Sequence, residues 1–224
     1  MWMPGIERVE TAAQGYSAIS GIKPIAIVDH VMQGYQPTMV QWAKERPPIH
    51  PGAHFTIDRK GWIIQHVSID KAAWHAGAVN QPTWKLMRYD GGRAINPNWY
   101  TVGIEHEGFS VPPGYGYDYV YSNSKPWPNV MIDASIEVHK WVCAQTGIKP
   151  GVDTIIGHNE IDGVNRKYDP GKLFPFNHII DMVSGGGVPP PVNKRLAYME
   201  IAFGRAKPIR REGDSGVYEI KVKL

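Results

Sequence analysis

Six residues constrain the fold more than any others in the chain: Ile25-Ala26-Ile27-Val28-Asp29-His30. An unbroken apolar run rich in β-branched side chains predicts a strand buried on both faces. Such strands belong inside parallel or mixed sheets covered by helices, because a strand with one wet face alternates polar and apolar residues. The expected fold class is therefore α/β, a central mixed β-sheet flanked by helices. The run closes on a polar pair, and strand ends are where sheets of this kind present functional groups.

The rest of the chain supplies the other layers. His54-Phe55-Thr56-Ile57 and Trp62-Ile63-Ile64-Gln65-His66-Val67 flank Asp58-Arg59-Lys60-Gly61, a glycine-closed turn, and predict a hairpin. Residues 101–107 and 154–158 read as two further strands. Helices are predicted over 37–44, with Pro37 at the start, over 131–146, stopped by Gly147, and over 175–183. Residues 112–128 form a long loop carrying Tyr115, Tyr117, Tyr119, Tyr121 and Trp127. It is either a stacking surface for sugar rings or a segment packed on the domain. The composition Gly185-Gly186-Gly187-Val188-Pro189-Pro190-Pro191 marks a linker. The chain thus divides into a domain over 1–184, a linker over 185–192 and a tail over 193–224, too short to hold a core alone.

The chain has 224 residues, 42% hydrophobic and 20% charged, which is ordinary globular usage and calls for no covalent staple. The net charge is +3 with Lys and Arg scattered, so nothing resembles a nucleic-acid stripe. No apolar run approaches the ~20 residues that span a bilayer, so membrane insertion is not expected. The first 23 residues carry Glu7, Arg8 and Glu10 and do not compose a signal peptide. The lone Cys143 sits in an apolar helical pattern. A buried inert thiol is the plain reading, a Cys/His nucleophile pair the sharp one.

Two of the nine histidines stand out by position, since His30 and His158 each close a buried strand. Asp169 follows His158 by eleven residues, on a loop pinned by Pro170 and Gly171. Two neutral imidazoles and a carboxylate make a zinc set with an open fourth position. An aspartate before proline also caps turns, and spacing alone leaves both readings standing. Glu105 and Glu107 share one strand face, as a base for water beside a metal or as a pair of exposed edge carboxylates. Lys167 is a candidate oxyanion partner, or a solvated surface lysine.

Five motifs in order resemble the type 2 N-acetylmuramoyl-L-alanine amidases. They are Ile27-Val28-Asp29-His30, Ala53 to Gly61, Ala73-Trp74-His75-Ala76-Gly77, Val102 to Gly108, and Gly157-His158 with Lys167-Tyr168-Asp169-Pro170-Gly171. The resemblance extends from about Ile25 to Val183. It implies the amidase type 2 fold, with a zinc site at the strand ends held by His30, His158 and Asp169. It implies Glu105 as the carboxylate that activates water and Lys167 as the group that stabilises the tetrahedral intermediate. Some phage members use instead a tyrosine just before the hairpin histidine, a place taken here by Ala53. His54, Trp74 and His75 fall in motifs that line the substrate cleft, and are expected contacts.

The implied activity is zinc-dependent hydrolysis of the bond between N-acetylmuramic acid and L-alanine, on peptidoglycan or soluble muropeptides. The linker and tail point to a phage-type endolysin that acts on the wall after release through a membrane lesion. The alternatives are a cytoplasmic muropeptide-recycling amidase and a non-catalytic peptidoglycan-binding module. Arg211 to Ile220 faintly resembles the opening of a peptidoglycan-binding repeat. Packing on the domain and self-association are the other roles open to the tail.

Overall fold

The computed structural model describes residues 1–11, 16–45, 52–110 and 126–185. The tyrosine-rich stretch 111–125, most of the linker and the whole tail lie outside the described residues. In chain order the strands are β1 (Glu7–Arg8), β2 (Tyr16–Ser20), β3 (Ala26–Val31), β4 (Phe55–Ile57), β5 (Ile63–Gln65), β6 (Lys71–Ala73), β7 (Tyr89–Asp90), β8 (Arg93–Ala94), β9 (Thr101–His106) and β10 (Ile155–Gly157). The helices are α1 (Gln36–Glu45), α2 (Asn129–Thr146), the single turn α3 (His158–Ile161) and α4 (Phe176–Ser184), with a 3-10 turn at Pro97–Trp99.

The apolar run at Ile25 becomes β3, buried at every residue as its composition requires. It lies between two parallel neighbours, β9 and β10, in a six-stranded sheet ordered β1-β5-β4-β9-β3-β10. Only the β4–β5 hairpin is antiparallel, so the sheet is mixed. Its sharp turn passes Gly61 at φ +80, where an added Cβ would lie 2.7 Å from the Val130 carbonyl oxygen. Two small antiparallel pairs, β2–β6 and β7–β8, stand apart from the main sheet. The sequence showed no clear signal for either, nor for β1: β1, β6, β7 and β8 have only two or three residues, and the five of β2 do not alternate cleanly between polar and apolar.

Alternation along the two central strands sorts the faces. Ile27 and Val31 of β3, with Val102 and Ile104 of β9, pack against Met131, Val138 and Val142 of α2 and Ile179 of α4. Ala26 and Val28 turn the other way, towards Trp84, Tyr100 and Ile161. Helix α2 begins two residues earlier than its pattern suggested and ends where expected, with Gly147 in the left-handed conformation at φ 76. His158 does not close β10. The strand ends at Gly157 and His158 opens α3. No helix among the described residues is long and apolar enough to cross a membrane.

Polar groups are buried on the helix side as well. The Nε2 of His139 on α2 lies 3.1 Å from the Asp29 carboxylate, and its Nδ1 donates to the Ser135 carbonyl at 2.8 Å. Burial opposes charging of His139, but Asp29 outweighs it and raises the pKa. His106 donates from Nδ1 to the His30 carbonyl at 3.1 Å and faces the Ser135 hydroxyl at 2.9 Å. His54, His66 and His106 are pushed down to about 4, first of all by burial.

Those three depressed values predict acid lability. An unfolded histidine takes up its proton near pH 6.5, whereas these folded ones stay neutral until about pH 4. Stability is therefore lost as the pH falls through that window, by about 1.4 kcal/mol per pH unit for each group. His139, shifted upward, contributes fully below pH 6.5 and loses its contribution only as pH rises above that, so it does not mask the effect. Urea midpoints at pH 7, 6 and 5 should fall steadily; a flat series would show that these rings gain protons in the folded state.

Candidate metal centre

The parallel register of β3 and β9 sets His30 directly opposite Glu105, both on the face turned away from α2. The register of β10 with β3 sets Gly157 beside Asp29, which brings His158 next to His30. A side chain at Gly157 would meet Asn159 Oδ1 at 2.3 Å and Pro170 Cδ at 2.7 Å. Glycine there lets the loop after α3 fold back over the strand end. That loop is held by main-chain bonds, with the Asn159 N–H donating to the Asp169 carbonyl at 2.9 Å and the Asp169 N–H to the Arg166 carbonyl at 3.0 Å.

Asp169 thereby reaches the two histidines. Its Oδ1 accepts from the Val31 N–H at 2.8 Å. Its Oδ2 lies 3.0 Å from His158 Nδ1 and 3.5 Å from His30 Nδ1. One ligand atom from each of the three residues falls within 4.8 Å of the others. Ligands at about 2.0–2.1 Å on a tetrahedral zinc stand about 3.3 Å apart, so these separations suit that ion.

The hydrogen bonds on the outer sides of the rings bear on the same question. His158 Nε2 is 2.9 Å from the Ala76 carbonyl, which can only accept. A neutral His158 that donates there presents a bare Nδ1 to Asp169. His30 is driven towards its neutral form by burial and then by His158. Lone pairs of two imidazoles and a carboxylate converging at this range repel one another unless a cation or proton lies among them.

The two glutamates part company. Glu105 is buried, its Oε2 has no hydrogen-bond partner among the described residues, and burial, then Asp169, pushes its pKa well above the ordinary range, with Arg166 pulling the other way. Glu107 lies one residue past β9. It accepts from the Gln36 N–H at the start of α1 at 3.1 Å and pairs with Arg59 at 2.8 Å. It is a helix-capping group.

The remaining candidates fall in different places. Lys167 is exposed on the Asp169 loop, its ammonium 5.5 Å from the Tyr168 ring centroid. Trp74 is half-buried. His54 is wholly engaged by backbone, its Nε2 donating to the Lys71 carbonyl at 2.8 Å and its Nδ1 accepting from the Gly103 N–H at 3.0 Å. His75 is buried behind His30, its Nδ1 3.0 Å from His30 Nε2. Burial, then His30, holds its pKa well below 6.5. Asn98 supports it from below, its Oδ1 accepting the N–H groups of His75 and Ala76 at 3.0 and 2.8 Å. Sequence reasoning missed Asn98, Thr101 and the Ala76 carbonyl, all of which act through backbone or through another ring. Cys143 is half-buried on α2 and its thiol is pushed up to about 11 by burial, which disfavours a nucleophilic thiolate.

Comparison with known proteins adds relatives to this geometry. The profile of the family described as N-acetylmuramoyl-L-alanine amidase matches residues 21–172. N-acetylmuramoyl-L-alanine amidase A of Achromobacter lyticus is 29% identical over 193 residues, which cover 79% of this chain and 92% of that protein. The 1,6-anhydro-N-acetylmuramyl-L-alanine amidase AmpD of Haemophilus influenzae is 29% identical over 147 residues, 61% of this chain and 66% of its own length. The solved structure of PlyL superposes with a TM-score of 0.53 over 82% of this chain and 99% of its own, at 16% identity, a likeness of fold.

Gly103 offers a test of how tightly the face is packed. A Cβ there would stand 2.3 Å from His75 Cγ, an overlap that a flexible chain end cannot relieve. Gly103→Ala should lower stability by about 1–3 kcal/mol. Gly151→Ala, where the nearest neighbour is the Thr154 hydroxyl at 3.8 Å, should change it little. Equal denaturation midpoints for the two variants would mean the His75 ring does not lie against β9.

Proposed function

The chain belongs to the type 2 N-acetylmuramoyl-L-alanine amidase family, and from that premise we propose that it hydrolyses the amide between N-acetylmuramic acid and L-alanine in peptidoglycan, with zinc held by His30, His158 and Asp169. The observation that carries the reading is the convergence of those three ligand atoms within 4.8 Å, beside a buried glutamate oxygen that has no partner among the described residues. Zinc bound there supplies Lewis acidity, which polarises a carbonyl and acidifies water.

The side chains divide the remaining work. Glu105 Oε2 takes the proton of the attacking water. The same oxygen then delivers that proton to the departing alanine nitrogen. The water oxygen becomes bonded to the lactyl carbonyl carbon as the carbon–nitrogen bond breaks, leaving a carboxyl on the sugar and a free amine on the peptide. Lys167, exposed on the Asp169 loop, offsets negative charge on the tetrahedral species. Asp169 is fixed by the Val31 N–H and keeps its second oxygen for the centre.

We infer that the physiological substrate is intact wall and the role that of a lysin. The Gly/Pro composition of 185–192 and the tail that follows suit a tether to a polymer, which a small soluble substrate does not need. The second reading is hydrolysis of soluble anhydro-muropeptides, the substrate class in the name of the Haemophilus relative.

Mass spectrometry of purified peptidoglycan and of soluble anhydro-muropeptides, each digested with and without a zinc chelator, tests both. Release of stem peptides with a free L-alanine amine, abolished by chelation and restored by zinc, is expected. Faster release from wall favours the lysin, and faster release from fragments the recycling enzyme. Glu105→Gln should lower kcat by about 10²–10⁴-fold with little change in KM. New reducing sugar ends, or wall binding without products, would overturn the proposal.

A further inference from the structure

We propose that His75 is a positioning residue that fixes the tautomer of His30, so that His30 presents a bare Nδ1 to His158 and Asp169. The argument starts at a backbone atom. The Pro97 carbonyl can only accept, and Thr101 Oγ1 lies 2.7 Å from it, so the threonine spends its single proton there. Towards His75 Nε2, at 3.1 Å, Thr101 can then only accept, and His75 Nε2 carries the proton. A neutral imidazole has one N–H, which leaves His75 Nδ1 as an acceptor. His30 Nε2, 3.0 Å away, donates to it. The His30 proton is thereby committed on the far side of the ring, and Nδ1 keeps its lone pair. The sense of the whole relay is set by a carbonyl in the 3-10 turn.

Two further features hold the relay in place. Gly103 lets the His75 ring lie against β9, since a Cβ there would stand 2.7 Å from His75 Cβ and from Nδ1. Asn98 grips the main chain on both sides, through the N–H groups of His75 and Ala76. The same short segment serves the second imidazole, because the Ala76 carbonyl takes the Nε2 proton of His158. Adjacent residues, one by its ring and one by its backbone, thus turn the lone pairs of both histidines inward.

The metal part of this inference rests on the zinc reading above; the tautomer part does not. The test uses the full chain. Long-range nitrogen–proton NMR of the imidazoles, recorded without metal, should show His30 as the Nε2–H tautomer. Zinc alone, titrated against a competing chelator, gives the affinity. His75→Leu removes the acceptor, and should mix the His30 tautomers and weaken zinc binding by about 10–100-fold. His75→Asn places an oxygen near the Nδ1 position and should recover most of that affinity. Thr101→Val, which keeps the shape and removes the hydroxyl, should act in the same direction as His75→Leu and serves if that variant does not fold. An Nδ1–H His30 in the unmodified protein would overturn the inference. So would unchanged tautomer and affinity in both His75→Leu and Thr101→Val. An unmodified protein with the expected tautomer but no zinc affinity would overturn the zinc reading and leave the assignment of His75 supported.

Discussion

The pairing of β3 with β9 is the constraint on which the rest depends. In a parallel ladder the register fixes which residues stand side by side, and alternation fixes which face they share. Six consecutive pairs from Ala26–Thr101 to Val31–His106 place His30 beside Glu105 on one face. The same pairs turn Ile27, Val102 and Ile104 towards the helices. A slip of either strand by one residue would send its own polar group, the imidazole or the carboxylate, into the apolar layer and turn its apolar residues away from α2 and α4. Core and site are therefore specified by the same hydrogen bonds, and neither changes alone.

Burial makes the site demanding. His30, His75 and Glu105 lie where solvent cannot supply missing hydrogen bonds, so each polar atom needs a partner or remains under strain. Most are satisfied through fixed backbone groups: the Val31 N–H for Asp169, the Ala76 carbonyl for His158 and the Pro97 carbonyl at the end of the threonine–histidine chain. Backbone partners cannot rotate away, which makes the inner lone pairs a property of the fold rather than of side-chain packing. Glu105 Oε2 has no partner among the described residues, and it stands beside the converging candidate ligands.

The opposite face shows the same economy with different consequences. Asp29, next to His30 along β3, points towards α2 and holds His139, while His106 reaches back to the His30 carbonyl. The backbone that carries the candidate ligand is thus gripped from the helix side by buried polar contacts. Removing one member of such a cluster strands the others without water, so the cluster acts as a unit.

Much of the fold is legible along the chain before any tertiary contact. The β-branched run at Ile25, the hairpin around Gly61 and the stripe from Met131 to Thr146 each carry a local signal that needs no distant partner, and all became the elements they announced. His30, His158 and Asp169 were legible as candidate ligands by residue type and order. What the sequence left undecided was between distant groups. Glu105 and Glu107 share parity and chemistry, and the folded arrangement leaves one with an oxygen unpartnered among the described residues and gives the other a helix to cap. His75 read as a residue of the cleft lining, and the fold buries it behind His30 because Gly103, 28 residues away in sequence, leaves room for its ring. Periodicity and composition report the burial of a segment. Which lone pair faces which proton depends on registers between strands far apart in the chain, and that was decided only when the sheet closed.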